Sequence, residues 1–248
     1  MKSFGLTDKG AVREENQDSF IIEKCDAAGC VIAAICDGMG GAKAGGLASK
    51  ISNKAFVSYA YEKLCSCGRK KPNYPQILRN ACRRANGVSY EYAMFDESCS
   101  GMGTTIVGGV IKNNGKAYII NVGDSRAYLI GLKGGTITQI TKDHSYVQTL
   151  VDSGAISKEE AKTHPCKNLI TRVLGTEAAV EADLFEISIE ADQVLLMCSD
   201  GLTNTLEEDE ILESAQEDSD PESLCRLLMS MALNRGARDN VTVIAVIK

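Results

Sequence analysis

Five aspartates in the sequence, Asp18, Asp37, Asp124, Asp200 and Asp239, stand beside short apolar runs. Val31 to Cys36 carries no polar side chain and leads into Asp37-Gly38-Met39-Gly40. The pattern returns at Val122-Gly123-Asp124-Ser125 and at Cys198-Ser199-Asp200-Gly201, and Asp239 precedes the apolar run that closes the chain. One Asp-Gly pair reads as an ordinary turn. Repetition of an apolar strand that delivers an aspartate to a tight turn points instead to carboxylates gathered at one place. Carboxylates without histidine or cysteine partners select hard cations, Mg²⁺, Mn²⁺ or Ca²⁺. Two such ions a few ångströms apart bind phosphoryl oxygens and acidify a water between them, which is chemistry for phosphate ester hydrolysis. Without a cation the cluster repels itself, and its carboxyl groups hold their protons to higher pH.

Strands and helices must bring these residues together. Val31–Cys36 is apolar on both sides of the chain and rich in β-branched residues, so it reads as a strand buried on both faces. Short strands at Ser3–Leu6 and Ser19–Glu23 flank a polar turn from Thr7 to Asp18. Helices are predicted at Ala42–Leu64, with Leu47, Ile51, Ala55 and Tyr59 as a buried stripe, and at Tyr74–Phe95. The glycines at 40, 41, 45 and 46 weaken the start of the first helix, so they serve close packing or approach to a ligand. Strands follow at Thr105–Ile111, Lys116–Val122, Ser125–Ile130 and Thr136–Ile140, with Asn113-Asn114-Gly115 as a hairpin signal. Residues 142–175 break the pattern, contain both histidines, and read as a functional or mobile segment. Strands resume at Ala182–Ile187 and Gln193–Cys198, helices at Glu207–Ser214 and Pro221–Asn234, and Val241–Ile247 is the last strand. Strands mostly neighbour one another in sequence and helices come in pairs between them. That order argues for an α+β layered domain with antiparallel sheets rather than a parallel βαβ sheet.

The 248 residues carry 27 basic and 33 acidic side chains, a net charge of −6, and no basic cluster longer than Gly68-Arg69-Lys70-Lys71. A nucleic-acid partner is therefore not expected. An acidic cleft wants a cation. Most of the ten cysteines lie in apolar runs or on predicted helices, where a free thiol acts as a small hydrophobe. Cys65-Ser66-Cys67 is too closely spaced, and too isolated in sequence from other ligands, for zinc. The N-terminal residues lack a signal-peptide core and no run approaches a membrane span, so a reducing cytoplasm is expected.

Seven stretches then carry a resemblance: Arg13-x-x-Asn-Gln-Asp18-Ser, Asp37-Gly-Met-Gly-Gly, Gly101-Met-Gly-Thr-Thr105, Gly123-Asp-Ser-Arg-Ala-Tyr128, Asp143-His-Ser145, Ser199-Asp-Gly-Leu202 and Arg238-Asp-Asn-Val-Thr242. Each is weak alone. In this order, from residue 5 to 247, they resemble the metal-dependent PP2C (PPM) protein phosphatases in their short bacterial form. The resemblance implies one domain over 1–248, a four-layer α/β/β/α sandwich of two antiparallel β-sheets flanked by helix pairs, with a flap at about 146–175. It implies hydrolysis of phosphoserine and phosphothreonine at two or three Mn²⁺ or Mg²⁺ ions, directly by a metal-activated water. Asp37 would bridge two ions and the Gly38 carbonyl would complete one site. Asp200 and Asp239 would hold the other ion, and Asp124 with Asp200 a third. Asp18 would act through metal-bound waters. Arg13 would take the substrate phosphate as a bidentate fork, for which guanidinium suits better than ammonium. The implied partners are phosphorylated proteins, among them a Ser/Thr kinase and its substrates, and the implied state is a monomer.

The chain departs from many eukaryotic members at Met39, where they carry a histidine proposed as general acid. His144, His164 or a water on the Asp124 metal could donate that proton instead, although lone histidines are more often structural. Three rival readings stand beside this one, one of them a metal-stabilised structural protein that binds Mn²⁺ and melts later with metal but hydrolyses nothing. Cys166-Lys-Asn-Leu-Ile-Thr-Arg172 has the spacing of a cysteine phosphatase loop, but a charged stretch precedes it and no glycine lies within to aim backbone N–H groups at phosphate. A catalytically inactive phosphoprotein-binding module of the same fold is the third, and a decayed site should have lost at least one of the five aspartates.

Overall fold

The computed structural model describes residues 1–40, 44–67 and 71–248. In chain order, β1 (Lys2–Asp8), β2 (Asp18–Cys25) and β3 (Cys30–Met39) precede two long helices, α1 (Ala44–Ser66) and α2 (Tyr74–Phe95). β4 (Gly103–Thr104), β5 (Ile106–Lys112), β6 (Lys116–Val122), β7 (Arg126–Gly131) and β8 (Thr136–Gln139) follow. Two short helices come next, α3 (Tyr146–Asp152) and α4 (Lys158–Thr163). The chain ends with β9 (Asp183–Ser188), β10 (Gln193–Cys198), α5 (Asp200–Thr203), α6 (Glu208–Glu217), α7 (Pro221–Asn234) and β11 (Val241–Ile247). Of the expected features, Gly41, Ala42 and Gly68-Arg69-Lys70 lie outside the described residues.

Two antiparallel sheets form, one in the order β1-β11-β10-β7-β8 and one in the order β2-β3-β5-β6-β9, with β4 added to the end of β3. The alternation within β3 explains its unbroken apolar run. Val31, Ala33 and Ile35 face the other sheet, meeting Leu195, Met197, Ile244 and Val246. Ile32, Ala34 and Cys36 face outward onto Phe56 and Ala60 of α1 and Leu78 and Ala81 of α2. On the other side, Leu196, Val243 and Ala245 pack on Ile211 of α6 and Leu224 and Leu228 of α7. Each fully buried Ile or Leu in these layers contributes roughly 1.5–3 kcal/mol relative to exposure. The result is the expected α/β/β/α sandwich with a helix pair on each outer face.

Local signals set the helix starts. Asn73 caps α2 by accepting from the Gln76 N–H, with Pro75 in the first turn, and Asp220 does the same for α7 ahead of Pro221. The stripe Leu47, Ile51, Ala55 and Tyr59 is only half-buried and lies along the side of α1. The deep face is one position over, at Ala48, Ser52, Asn53, Phe56 and Ala60. Small and polar side chains dominate its first half because the helix there lies close to the sheet. Asn53 donates to the backbone carbonyls of Ser19 and Ala34 and so pins α1 to β2 and β3.

Three further corrections concern the aspartates. Asp18 is the first residue of β2 rather than the end of a turn, and β3 does not turn at Asp37 but runs on through Met39, where β4 pairs with it. Asp200 opens the one-turn helix α5. Ser145 and Ile170 pair across the base of the segment that holds α3 and α4.

Candidate active site

The first two aspartates face each other across a β-ladder. Asp18 on β2 is the register partner of Asp37 on β3. Like charges directly opposite in an antiparallel pair destabilise it unless something neutral or cationic intervenes. Asp124 sits on the turn between β6 and β7, beside Gly123, whose φ of +111° favours glycine. Asp200 comes from the start of α5 and Asp239 from the loop before β11. Asp37, Gly38, Asp124, Asp200, Asp239 and Arg13 line one cleft of about 600 Å³. Asp18 lies behind its floor, 4% exposed, and its Oδ2 accepts from Ser199 Oγ at 2.8 Å and Thr242 Oγ1 at 2.6 Å.

The supporting polar residues lie inside the same sequence motifs. Thr105 Oγ1 accepts from the Asp37 N–H at 3.1 Å and lies 2.7 Å from Ser125 Oγ, so it joins the Asp37 and Asp124 segments. Both the Thr104 hydroxyl and the Thr105 N–H donate to the Asp37 carbonyl, each at 2.8 Å. Asn240 accepts from the Gln17 N–H and donates to the Lys9 and Glu15 carbonyls, which holds the Arg13 loop at the cleft rim. Sequence reasoning misses these roles; the only signal is a hydroxyl or amide beside each aspartate. Close backbone approach accounts for two glycines: a Cβ on Gly38 would lie 2.0 Å from the Gly45 carbonyl oxygen.

The carboxylates are held toward their neutral forms. Burial, followed by Asp18, Asp200 and Asp124, pushes Asp37 well above the usual carboxylate range. Burial raises Asp18 to about 7 against the pull of its two hydroxyl donors. Burial and then Asp200 raise Asp124 to about 8, and burial and then Asp239 raise Asp200. Oδ1 of Asp18, of Asp124 and of Asp200 is buried without a hydrogen-bond partner. Buried, unpartnered carboxylate oxygens in and directly behind one acidic cleft suit a hard cation. Among the described residues, no three His, Cys, Asp or Glu side chains form a ready-made cage. Mg²⁺ does not demand one, because it keeps several waters and takes one or two carboxylates.

Arg13 is half-exposed and donates from Nη2 to Asp239 Oδ2 at 2.7 Å, a pairing that raises its own pKa further. Neither histidine lines the cleft. His144 is 8% exposed, with Nδ1 accepting from the Gly123 N–H. His164 Nδ1 accepts from the Cys166 N–H, and its ring tilts against Tyr146. Arg172 spends Nη1 on Asp183 and the Glu181 carbonyl, while Cys166 is exposed, so the two do not build a phosphate loop.

The arrangement has known counterparts. The chain is 36% identical over 241 residues to a serine/threonine phosphatase (stp) of Listeria welshimeri, covering 97% of this chain and 93% of that one. The fold superposes on serine/threonine phosphatase Stp1 of Staphylococcus aureus with a TM-score of 0.89 at 36% identity, covering 100% of this chain and 94% of that one. It superposes on the catalytic domain of the phosphatase PstP, solved with two manganese ions, with a TM-score of 0.84 at 32% identity, covering 100% and 98%. Residues 10–234 match the family described as protein phosphatase 2C. With its acidic cleft between two antiparallel sheets and these relatives along its length, the chain belongs to the protein phosphatase 2C family.

Proposed function

We propose that the cleft hydrolyses phosphoserine and phosphothreonine in proteins with two divalent ions, Mn²⁺ or Mg²⁺, and that a third position is available. The observation that carries the reading is the set of unpartnered, buried carboxylate oxygens on Asp124 and Asp200, which line a cleft with the Arg13 guanidinium, and on Asp18 behind it. Asp37 would hold both principal ions, and the Gly38 carbonyl, near the end of β3, would add to one of them. Asp200 and Asp239 would hold the other ion, and Asp124 with Asp200 the third position. Asp18 acts one layer back, where Ser199 and Thr242 fix its Oδ2 and leave Oδ1 toward a water. When bound, such ions supply positive charge at the phosphoryl oxygens and a water acidic enough to react near neutral pH.

The chain's own residues do the rest. Arg13 orients the phosphate by a fork of parallel N–H groups. Thr104 and Thr105 fix the Asp37 backbone, so that the carboxylate does not reorganise when charge builds up at phosphorus. The substrates are phosphorylated proteins, and a Ser/Thr kinase and its targets are the natural set for such an enzyme acting as a monomer in the cytoplasm. No helix among the described residues is long and apolar enough to cross a membrane.

Hydrolysis of a phosphothreonine peptide with added Mn²⁺, before and after EDTA, tests the activity. Isothermal titration of Mn²⁺ into wild type and Asp37→Asn tests the site without turnover. We expect EDTA-reversible hydrolysis, and loss of both turnover and high-affinity Mn²⁺ binding in a folded Asp37→Asn protein. Mn²⁺ binding without hydrolysis would instead indicate an inactive binding module.

A further inference from the structure

Four of the ten cysteines lie at the end of the outer helix layer, away from the acidic cleft. Cys25 closes β2 and is the register partner of Cys30, the first residue of β3. Cys65 stands in the last turn of α1, and Cys67 follows it. Their separation in sequence hides a contact: Cys25 Sγ and Cys65 Sγ are 3.0 Å apart. That is closer than two sulfurs sit in ordinary van der Waals contact. All ten side chains are free thiols, and among the described residues no group of cysteines forms a metal site.

We propose that Cys25 and Cys65 form a reversible disulfide that clasps the end of α1 to the end of β2. A bond requires the two sulfurs to close to about 2.05 Å, a movement of about 1 Å. The last turn of a helix can supply that movement, because helix ends fray. The two thiols have different roles. Cys65 is half-buried and open to a small oxidant, whereas Cys25 is 1% exposed. Burial, and then the Cys65 sulfur, push the Cys25 thiol up, so it does not start the reaction.

The oxidant is a low-molecular-weight disulfide, RSSR. The Cys65 thiolate attacks one sulfur of RSSR, forming a mixed disulfide and releasing RS⁻, which takes up the proton Cys65 has lost. The Cys25 thiolate then attacks Cys65 Sγ and expels the second RS⁻, which takes the Cys25 proton. The protein pair loses two electrons and two protons, and RSSR becomes two RSH.

The bond would close a loop of 40 residues that contains β3 and α1. It lies at the far end of β2 from Asp18, roughly 23 Å away at the rise of a strand. It therefore acts on the stability of the helix layer rather than on the carboxylates. Constraint of a loop of this length raises Tm by about 8–16 °C on chain entropy alone.

The test is incubation of the reduced protein with oxidised glutathione, followed by thiol titration in denaturant, non-reducing peptide mapping and a melting curve. We expect a Cys25–Cys65 peptide pair, any further thiol loss mapping as a glutathione adduct on the exposed Cys166, and a rise in Tm that dithiothreitol reverses. Cys65→Ser should abolish the bridge and Cys30→Ser should keep it. Ten titratable thiols after oxidation would overturn the proposal. So would a stalled glutathione adduct on Cys65, a bridge mapped to Cys25–Cys30 or Cys65–Cys67, or an unchanged Tm. The mapping is made on wild type, so it decides the matter even if a cysteine variant folds poorly.

Discussion

His144 accepts the Gly123 N–H at Nδ1, 3.0 Å away, and its own backbone N–H donates to the Gly123 carbonyl at 2.9 Å. The two bonds clamp the turn that carries Asp124. They also assign the tautomer. With Nδ1 accepting, the proton sits on Nε2, which faces Asp183 Oδ2 at 3.3 Å. Burial, and then the Arg172 guanidinium 3.0 Å from the same nitrogen, hold the ring below its usual pKa. A neutral, buried histidine with both ring nitrogens engaged is a positioning residue rather than a proton donor to substrate.

His144→Ala and His144→Asn separate the two roles. The asparagine carbonyl can accept the Gly123 N–H but cannot act as an acid at neutral pH. We expect Ala to weaken Mn²⁺ binding about 10- to 100-fold, as lost second-layer support does in other metal sites. Asn should restore most of that affinity and most of kcat. Equal loss of kcat in both variants, with Mn²⁺ binding unchanged, would return His144 to the role of acid.

Arg13 and Asp239 form an ion pair inside the cleft, and both belong to the proposed chemistry. A cation that takes Asp239 frees the guanidinium for phosphate. Inorganic phosphate should therefore bind more tightly with Mn²⁺ present than in EDTA, measured by calorimetry. Arg13→Ala should remove most of that gain and mainly raise KM, whereas Arg13→Lys should recover little, since ammonium lacks the fork. An unchanged KM in Arg13→Ala would take Arg13 out of the phosphate site.

The layers can be read from the chain because they rest on local pattern. Val31–Cys36 is apolar at every position, and a strand with packed neighbours on both faces needs that. The aspartates are visible because each interrupts an apolar run. What escapes are the features set by tertiary contact. Asp200 reads like Asp124, yet it opens a helical turn, and Ser199 ahead of it leaves that turn uncapped and donates its hydroxyl to Asp18 of the other sheet. The deep face of α1 follows Ala48, Ser52 and Asn53 rather than the more apolar Leu47 and Ile51, because closeness to β3 excludes large side chains. Cys65 looks isolated because its neighbour Cys25 is 40 positions away.

Gly45 stands in the first turns of α1, where helix propensity alone favours alanine by about 1 kcal/mol. A Cβ there would lie 2.9 Å from Gln17 Oε1 and 2.9 Å from the Gly38 carbonyl carbon. The backbone contact cannot yield, so Gly45→Ala should destabilise by about 1–3 kcal/mol. Gly87, in the middle of α2, has nothing within 4 Å of the point where an alanine methyl would stand, and Gly87→Ala should stabilise by about 0.5–1 kcal/mol. Urea melts of the pair measure both signs in one protein. Stabilisation in both variants would show that α1 does not press on the end of β3.

Asp18 and Asp124 titrate at about 7 and about 8 in the folded protein, against 3.8 as a reference. Folded values above the unfolded ones mean that the native state binds more protons over this range. Their contribution favours folding below about pH 4 and is lost as pH rises through the folded values. In EDTA, the melting temperature should therefore fall from pH 5 to pH 8. A divalent cation stabilises the ionised form, so Mn²⁺ should raise Tm little at pH 5 and most at pH 8, with proton release on binding. Asp18→Asn, whose amide stays neutral and can still accept from Ser199 and Thr242, should flatten the slope in EDTA. Thermal melts at four pH values, with EDTA and with Mn²⁺, check all three statements, and a Tm that rises steadily to pH 8 in EDTA would mean these carboxylates are already ionised without a cation.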